Sequence, residues 1–224
     1  MNRIVVDIET LAYPIGQFDE QQREYLLKFA KTEEERMETI QKMSLNPFTA
    51  HTIAIGMLNP DSDQGKVLYD APTGEPRFSA DGRVEFIACQ EHQMLEEFWK
   101  TISHYNQFIT FNGRSFDGPF LLLRSTMLGI RPTKNLLPNR YYVNEHCDLL
   151  DQLTFYGAIR RFNLDFYCKS FGIKSPKSGG ITGLDLGGLY SEGRFFEIAD
   201  YCLGDVRATA DLYQRWRSYL LFEK

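Results

Sequence analysis

Long hydrophobic runs are missing from this 224-residue sequence, and no stretch approaches the roughly 20 apolar residues that cross a bilayer as a helix. A basic leader ahead of an apolar segment is missing too, because strand-like residues begin almost at once, and the expectation is an unexported, cytoplasmic protein. Cysteine is sparse. Cys89, Cys147, Cys168 and Cys202 are scattered, with no C-x-x-C pair and no histidine at zinc-like spacing. That pattern favours reduced, packed thiols over a disulfide frame or a zinc site. No internal repeat is visible. An overall positive charge is absent as well: the net charge of −5 speaks against nonspecific coating of nucleic acid by an evenly charged surface.

The charge is not evenly spread. Residues 118–178 hold nine basic side chains (Arg124, Arg131, Lys134, Arg140, Arg160, Arg161, Lys169, Lys174, Lys177) against Glu145, Asp148, Asp151 and Asp165, a local net of +5 that leaves −10 for the remainder. A solvated helix face and a phosphate-binding surface both suit such an asymmetry.

The length and an ordinary apolar content of 43 % fit one domain over 1–224. The N-terminal strand is followed by a charge-dense stretch with apolar residues at helical spacing, which reads as a helical insertion at about 11–48. HTIAIGML at 51–58 and KVLYDA at 66–71 read as a hairpin across a turn-rich segment, and EFIAC as a further short strand. A helix from Gln90 to Ser103, a strand through QFITFN and a helix through PFLLLRSTML with Ser115 as its cap follow. YYVNEHCDLL predicts a strand, residues 151–171 a helical pattern, KSPKSGGITGLDLGG a loop, and residues from about 194 to 219 a long helix. Strands mixed with helices in this way make an α/β or α+β domain.

Acidic residues occupy unexpected places in this frame. Ile4, Val5 and Val6 form the continuous β-branched run of a strand covered on both faces. Asp7 and Glu9 extend it and project from one face, about 6 to 7 Å apart along the strand. Near a core they need a cation, unless the strand end is open to water. On the last helix, Ile198, Tyr201, Asp205, Ala208 and Leu212 share one stripe, so an aspartate lies on an otherwise apolar or aromatic line. Gly204 inside that helix costs about 1 kcal/mol relative to alanine, which suits a close approach by another backbone or a ligand. Asp117 falls in the first turn of a helix, where the dipole favours an acid. Taken singly, each acid also suits a surface or capping role.

The segments D-I-E-T (7–10), N-G-R-S-F-D-G-P-F (112–120) and Y-C-L-G-D (201–205), in this order, resemble the three exonuclease motifs of the DEDD superfamily. The set is similar in particular to the 3′-to-5′ exonuclease domain of family-B DNA polymerases and to the free-standing predicted exonucleases related to it. Tyr201 four residues before Asp205 matches the tyrosine-type branch, and Asp200 stands where the histidine-type branch has histidine. Gly204 stands where family-B domains often carry lysine, so no basic contact comes from that position.

The resemblance implies an α/β, ribonuclease-H-like mixed β-sheet flanked by helices on both sides. It implies metal-dependent hydrolysis at single-stranded DNA 3′ ends, with release of nucleoside 5′-monophosphates. The cofactor would be a pair of Mg²⁺ or Mn²⁺ ions held by Asp7, Glu9, Asp117 and Asp205, since an oxygen-only set suits these ions better than zinc. By the same resemblance Asp7 would bridge both ions, Asp117 would act through water, and Tyr201 would orient the attacking water. Asn112 would contact the terminal nucleotide. Phe116 suits a terminal base and plain core packing equally, and Arg160, Arg161 and Lys177 are phosphate candidates. RNA is the alternative substrate, as in ribonuclease D or oligoribonuclease relatives. A nuclease-dead binding module is the alternative of another class, which loss of an acid would mark.

Overall fold

The N-terminal β-branched run forms a ten-residue strand, β1 (Arg3–Ala12), in the interior of a mixed sheet. The computed structural model describes residues 2–72, 74–175 and 180–222. β2 (Ala50–Leu58) pairs antiparallel with β1, and β3 (Gly65–Asp70) antiparallel with β2. β5 (Val84–Cys89) runs parallel to β3, and the two-residue β4 (Arg77–Phe78) closes that edge. On the other side β6 (Gln107–Thr110) and β7 (His146–Asp148) both run parallel to β1. The order across the sheet is β4-β5-β3-β2-β1-β6-β7.

Both faces of the sheet are covered. One face carries α3 (Glu91–Ile102) and α4 (Asp117–Met127), which bury Leu95, Phe98, Trp99, Phe120 and Leu121 against Ile4, Val6 and Ile8. The opposite face carries α5 (Leu149–Leu153), α6 (Leu164–Ser170), α7 (Leu186–Ser191) and the long α8 (Phe195–Tyr219). There Val5, Ile53 and Val67 pack against Ile198, Cys202, Val206 and Leu212. Each fully buried aliphatic side chain contributes roughly 1.5 to 3 kcal/mol. Alternation along β1 therefore puts Asp7 and Glu9 on the α8 face with Val5.

Several sequence expectations need correction. Asp7 and Glu9 lie within β1, because the strand continues to Ala12, and the insertion begins only after it. The segment after β1 carries α1 (Glu20–Leu27) and α2 (Glu33–Lys42), each opened by a capping box and burying no residue. The α4 N-cap position is Phe116, without a side-chain cap bond, so Ser115 is not the cap. Only His146–Asp148 of the predicted YYVNEHCDLL strand is extended, and the 151–171 pattern divides into α5 and α6. α7 begins at Leu186, inside the last three residues of the glycine-rich segment read as loop.

The long helix passes close over the sheet at Gly56, the β2 partner of Asp7. A Cβ at position 56 would sit 2.4 Å from Val206 Cγ2 and 3.0 Å from Cys202 Sγ. Overpacking of this kind typically costs about 1 to 3 kcal/mol. Gly56→Ala should lower stability by that amount in denaturant titration, and adding Val206→Ala should restore part of the loss. A Gly56→Ala protein as stable as wild type would show that α8 has room to move.

Candidate active site

Unequal strand lengths open the site. Pairing of β1 with β6 stops at Val5↔Ile109, whereas pairing with β2 continues to Ala12↔Ala50. Past Val5 the β6 flank of β1 has no ladder partner, in the crevice at the carboxyl ends of parallel strands, where α/β sheets bind ligands. The Ile8 N–H there donates to Asp117 Oδ1 at 3.1 Å. Asp117 is thereby fixed to the backbone between Asp7 and Glu9.

A second buried aspartate shapes the loop that delivers Asp117. β6 ends where Asn112 takes a left-handed conformation at φ 65°. Asp148, at the end of β7, accepts N–H bonds from Asn112 (2.9 Å) and Arg114 (2.9 Å), and from Leu150 (3.0 Å) in α5. Gly113 fits between them because a Cβ there would lie 2.4 Å from Thr110 Oγ1. The Arg114 guanidinium then donates to the Pro138 carbonyl at 2.9 Å, tying the turn to the next loop.

α8 supplies the other wall. Cys202 Sγ donates to the Asp7 carbonyl at 3.7 Å, and ligand atoms of Asp7, Glu9 and Cys202 lie within 4.8 Å of one another. Tyr201 and Asp205 are on the same helix, and the Tyr201 hydroxyl is hydrogen-bonded to Asp205. A cavity of about 750 Å³ opens beside Tyr201 and Gly204, bordered also by Lys174, Asp200 and Arg207. Arg207 donates to Asp81, another residue of the cavity wall, at 2.6 Å.

The electrostatics of this face are one-sided. Burial, then Asp117, Asp205 and Glu9, push the Asp7 carboxyl well above its usual range. Burial, then Asp205 and Asp117, do the same to Glu9. Burial raises Asp117 to about 7 in spite of its N–H bonds. Burial and the same carboxylates raise the Tyr201 phenol, so it keeps its proton. Neither Asp7 nor Glu9 pairs with a lysine, arginine or histidine among the described residues. Buried and half-buried carboxylates in mutual repulsion, with no protein cation beside Asp7 or Glu9 among the described residues, form a donor set that fits divalent metal ions. The Cys202 thiol is held in its protonated form by burial and by the same acids, and a neutral thiol is a poor ligand. The acids therefore remain the available donors.

The structure brings Asp7, Glu9, Asp117, Tyr201 and Asp205 into one electrostatic group. Asn112 opens the adjacent turn, while the Phe116 ring packs on Phe120 at 5.6 Å and on the α3–α4 side core. Arg160 and Arg161 are exposed beyond α5. Lys177 lies outside the described residues. Sequence reasoning missed Asp148 and Cys202. An aspartate directly before a helical pattern is an N-cap signal that marks the first; the closeness of Cys202 depends on Gly56 and carries no local signal.

Residues 77–220 match the model of a family described as predicted 3′-5′ exonuclease related to the exonuclease domain of PolB. The chain belongs to this family. The match includes Asp117, Tyr201 and Asp205 and begins after β1. The fold of this family member is also that of part of a solved family-B DNA polymerase, from the hyperthermophilic archaeon Pyrobaculum calidifontis, with a TM-score of 0.61 and 16 % identity. The likeness covers 96 % of this chain and 24 % of the polymerase, and bears out the ribonuclease-H-like mixed sheet with helices on both faces. No curated protein matches the chain. No helix among the described residues is long and apolar enough to cross a membrane.

The raised carboxyls set a pH dependence. The folded protein retains protons that the unfolded chain has lost between about pH 4 and pH 7, so this group's contribution to stability falls as pH rises through that window. Buried His146, lowered to about 3 by burial, has the opposite slope. The comparison that isolates the site is therefore wild type against Asp117→Asn in chelator. Asp117→Asn should gain stability relative to wild type on going from pH 5 to pH 8, by thermal unfolding. A difference that does not change with pH contradicts the raised carboxyl.

Proposed function

We propose that this protein is a metal-dependent 3′-to-5′ exonuclease acting on single-stranded DNA ends and releasing nucleoside 5′-monophosphates. In this reading residues 1–224 form one nuclease domain. The observation that carries it is the group of buried and half-buried acids on one face, with Tyr201 among them and, among the described residues, no protein cation at Asp7 or Glu9. Retention of all four acids supports a catalytic chain over a binding-only one, and the polymerase-related family supports DNA as substrate.

Hydrolysis forms a bond from water oxygen to phosphorus and breaks the bond to the 3′ oxygen of the preceding nucleotide. Asp7, Glu9, Asp117 and Asp205 would hold two Mg²⁺ or Mn²⁺ ions, which when bound supply an activated water and relief of charge on the leaving oxygen. Asp117 holds its position through the Ile8 N–H and so sets the spacing of the donor group. Tyr201 keeps its proton, so its hydroxyl orients a neighbouring oxygen and does not serve as a base. The left-handed Asn112 turn, pinned by Asp148, presents its edge beside the acids to the substrate backbone.

Digestion of matched DNA and RNA oligonucleotides labelled at the 5′ end, with Mn²⁺ or with chelator, tests the reading. Stepwise shortening of DNA only with metal is expected, and full activity in excess chelator contradicts it. Asp7→Ala or Asp205→Ala should reduce turnover by several orders of magnitude while the fold persists, since losing a carboxylate also relieves repulsion. Circular dichroism beside the assay separates the two effects.

Tyr201→Phe removes the hydroxyl and keeps the ring. It should slow single-turnover cleavage by up to about 10²-fold with little change in substrate affinity. An unchanged single-turnover rate would reduce Tyr201 to a packing residue.

A further inference from the structure

Beyond α5 the chain does something costly. Phe155 (φ 50°) and Tyr156 (φ 59°) both adopt the left-handed conformation, in the position after a helix where glycine is usual because a Cβ is disfavoured there. The turn is fully hydrogen-bonded, with the Tyr156 N–H donating to the Asp151 carbonyl at 2.7 Å and the Phe155 N–H to the Gln152 carbonyl at 3.2 Å. It presents rings to solvent. Phe155 is 58 % exposed and Tyr141, from the preceding loop, 66 %. Tyr141 and Tyr156 meet at 4.8 Å between ring centres, with the Arg140 guanidinium 5.8 Å from the Tyr156 ring.

Three arginines lie along this ring shelf and the chain that follows it. Arg140 is held beside it by buried Asp151, at 2.7 Å from Nε to Oδ2. Arg160 and Arg161 follow the same turn, are exposed, and pair with no carboxylate among the described residues. The shelf is also joined to the candidate site. Asp148 pins the Asn112 turn, and Arg114 of that turn is bonded to the Pro138 and Asn139 carbonyls, directly before Arg140 and Tyr141.

We infer that Tyr141, Phe155 and Tyr156 form a stacking platform for unpaired bases of a single-stranded nucleic acid, with Arg140, Arg160 and Arg161 taking its phosphates, upstream of the end held at the acids. The exposed rings of Tyr141 and Phe155, the half-buried Tyr156 ring and the exposed guanidiniums of Arg160 and Arg161 match the two features every nucleotide offers, a π-face and an anion. A base already paired in a duplex has no free face to give, so the platform selects unpaired strands. This inference rests on the nuclease reading for the direction of the strand, but not for the existence of the platform.

The test is a binding titration in Ca²⁺ with two strands of equal length, oligo-dT and an abasic strand that has phosphates without bases. Wild type should bind oligo-dT about tenfold or more tightly than the abasic strand. The double variant Tyr141→Ala, Tyr156→Ala should lose that preference and keep its affinity for the abasic strand. Arg160→Ala with Arg161→Ala should weaken both strands alike and flatten the salt dependence. Tyr141→Phe with Tyr156→Phe should behave as wild type, which guards against a folding defect. A double alanine variant that keeps the wild-type preference overturns the platform while leaving the nuclease reading in place. A wild type that binds neither strand, or that binds a protein partner through these rings instead, overturns the platform; binding of neither strand also removes the nuclease reading.

Discussion

Mutual repulsion among buried carboxylates is the constraint on which the rest of this structure turns. Glu9, Asp117 and Asp205 each raise the pKa of at least one other member of the group, and burial adds to the effect. Left to itself the group would separate or take up protons. It is held together by parts of the fold that lie outside it. The close passage of α8 over Gly56 fixes the height of Tyr201 and Asp205 above β1, and the bond from Ile8 fixes Asp117.

Asp148 shows how a buried charge can serve structure in the same neighbourhood. It accepts three backbone N–H groups, which offset part of the cost of its burial; among the described residues Asp7 has no comparable donors. The contrast separates two uses of an acid on a strand. One organises a turn, and the other keeps its oxygens available. Stability surrendered at the acids is stability that a bound cation would return, which couples ion binding to folding in one equilibrium.

Much of this was legible in the sequence because periodicity reports burial. The β-branched run of β1, the apolar stripe of α8 and the hairpin of β2 and β3 follow from spacing alone, and the acids stand out against them. The motif order suggested the family, and the match over 77–220 shows it. Length was harder to read: polar Asp7, Glu9 and Thr10 look like a strand end, yet continued pairing with β2 carries β1 to Ala12. The division of 151–171 into α5 and α6 was hidden because two left-handed aromatics, not a glycine, end the first helix. The place of Cys202 beside the acids depends on a glycine 146 positions away in the chain, which no local pattern encodes.

The central claim is that divalent cations compensate these carboxylates. The most direct measurement is anomalous diffraction from crystals of the protein grown with Mn²⁺, which locates the ions themselves. The account predicts anomalous density among the carboxylates of Asp7, Glu9, Asp117 and Asp205, lost in crystals of Asp7→Asn. Crystals saturated with Mn²⁺ that show no density among these acids, or that show a lysine or arginine side chain in their midst, would contradict it.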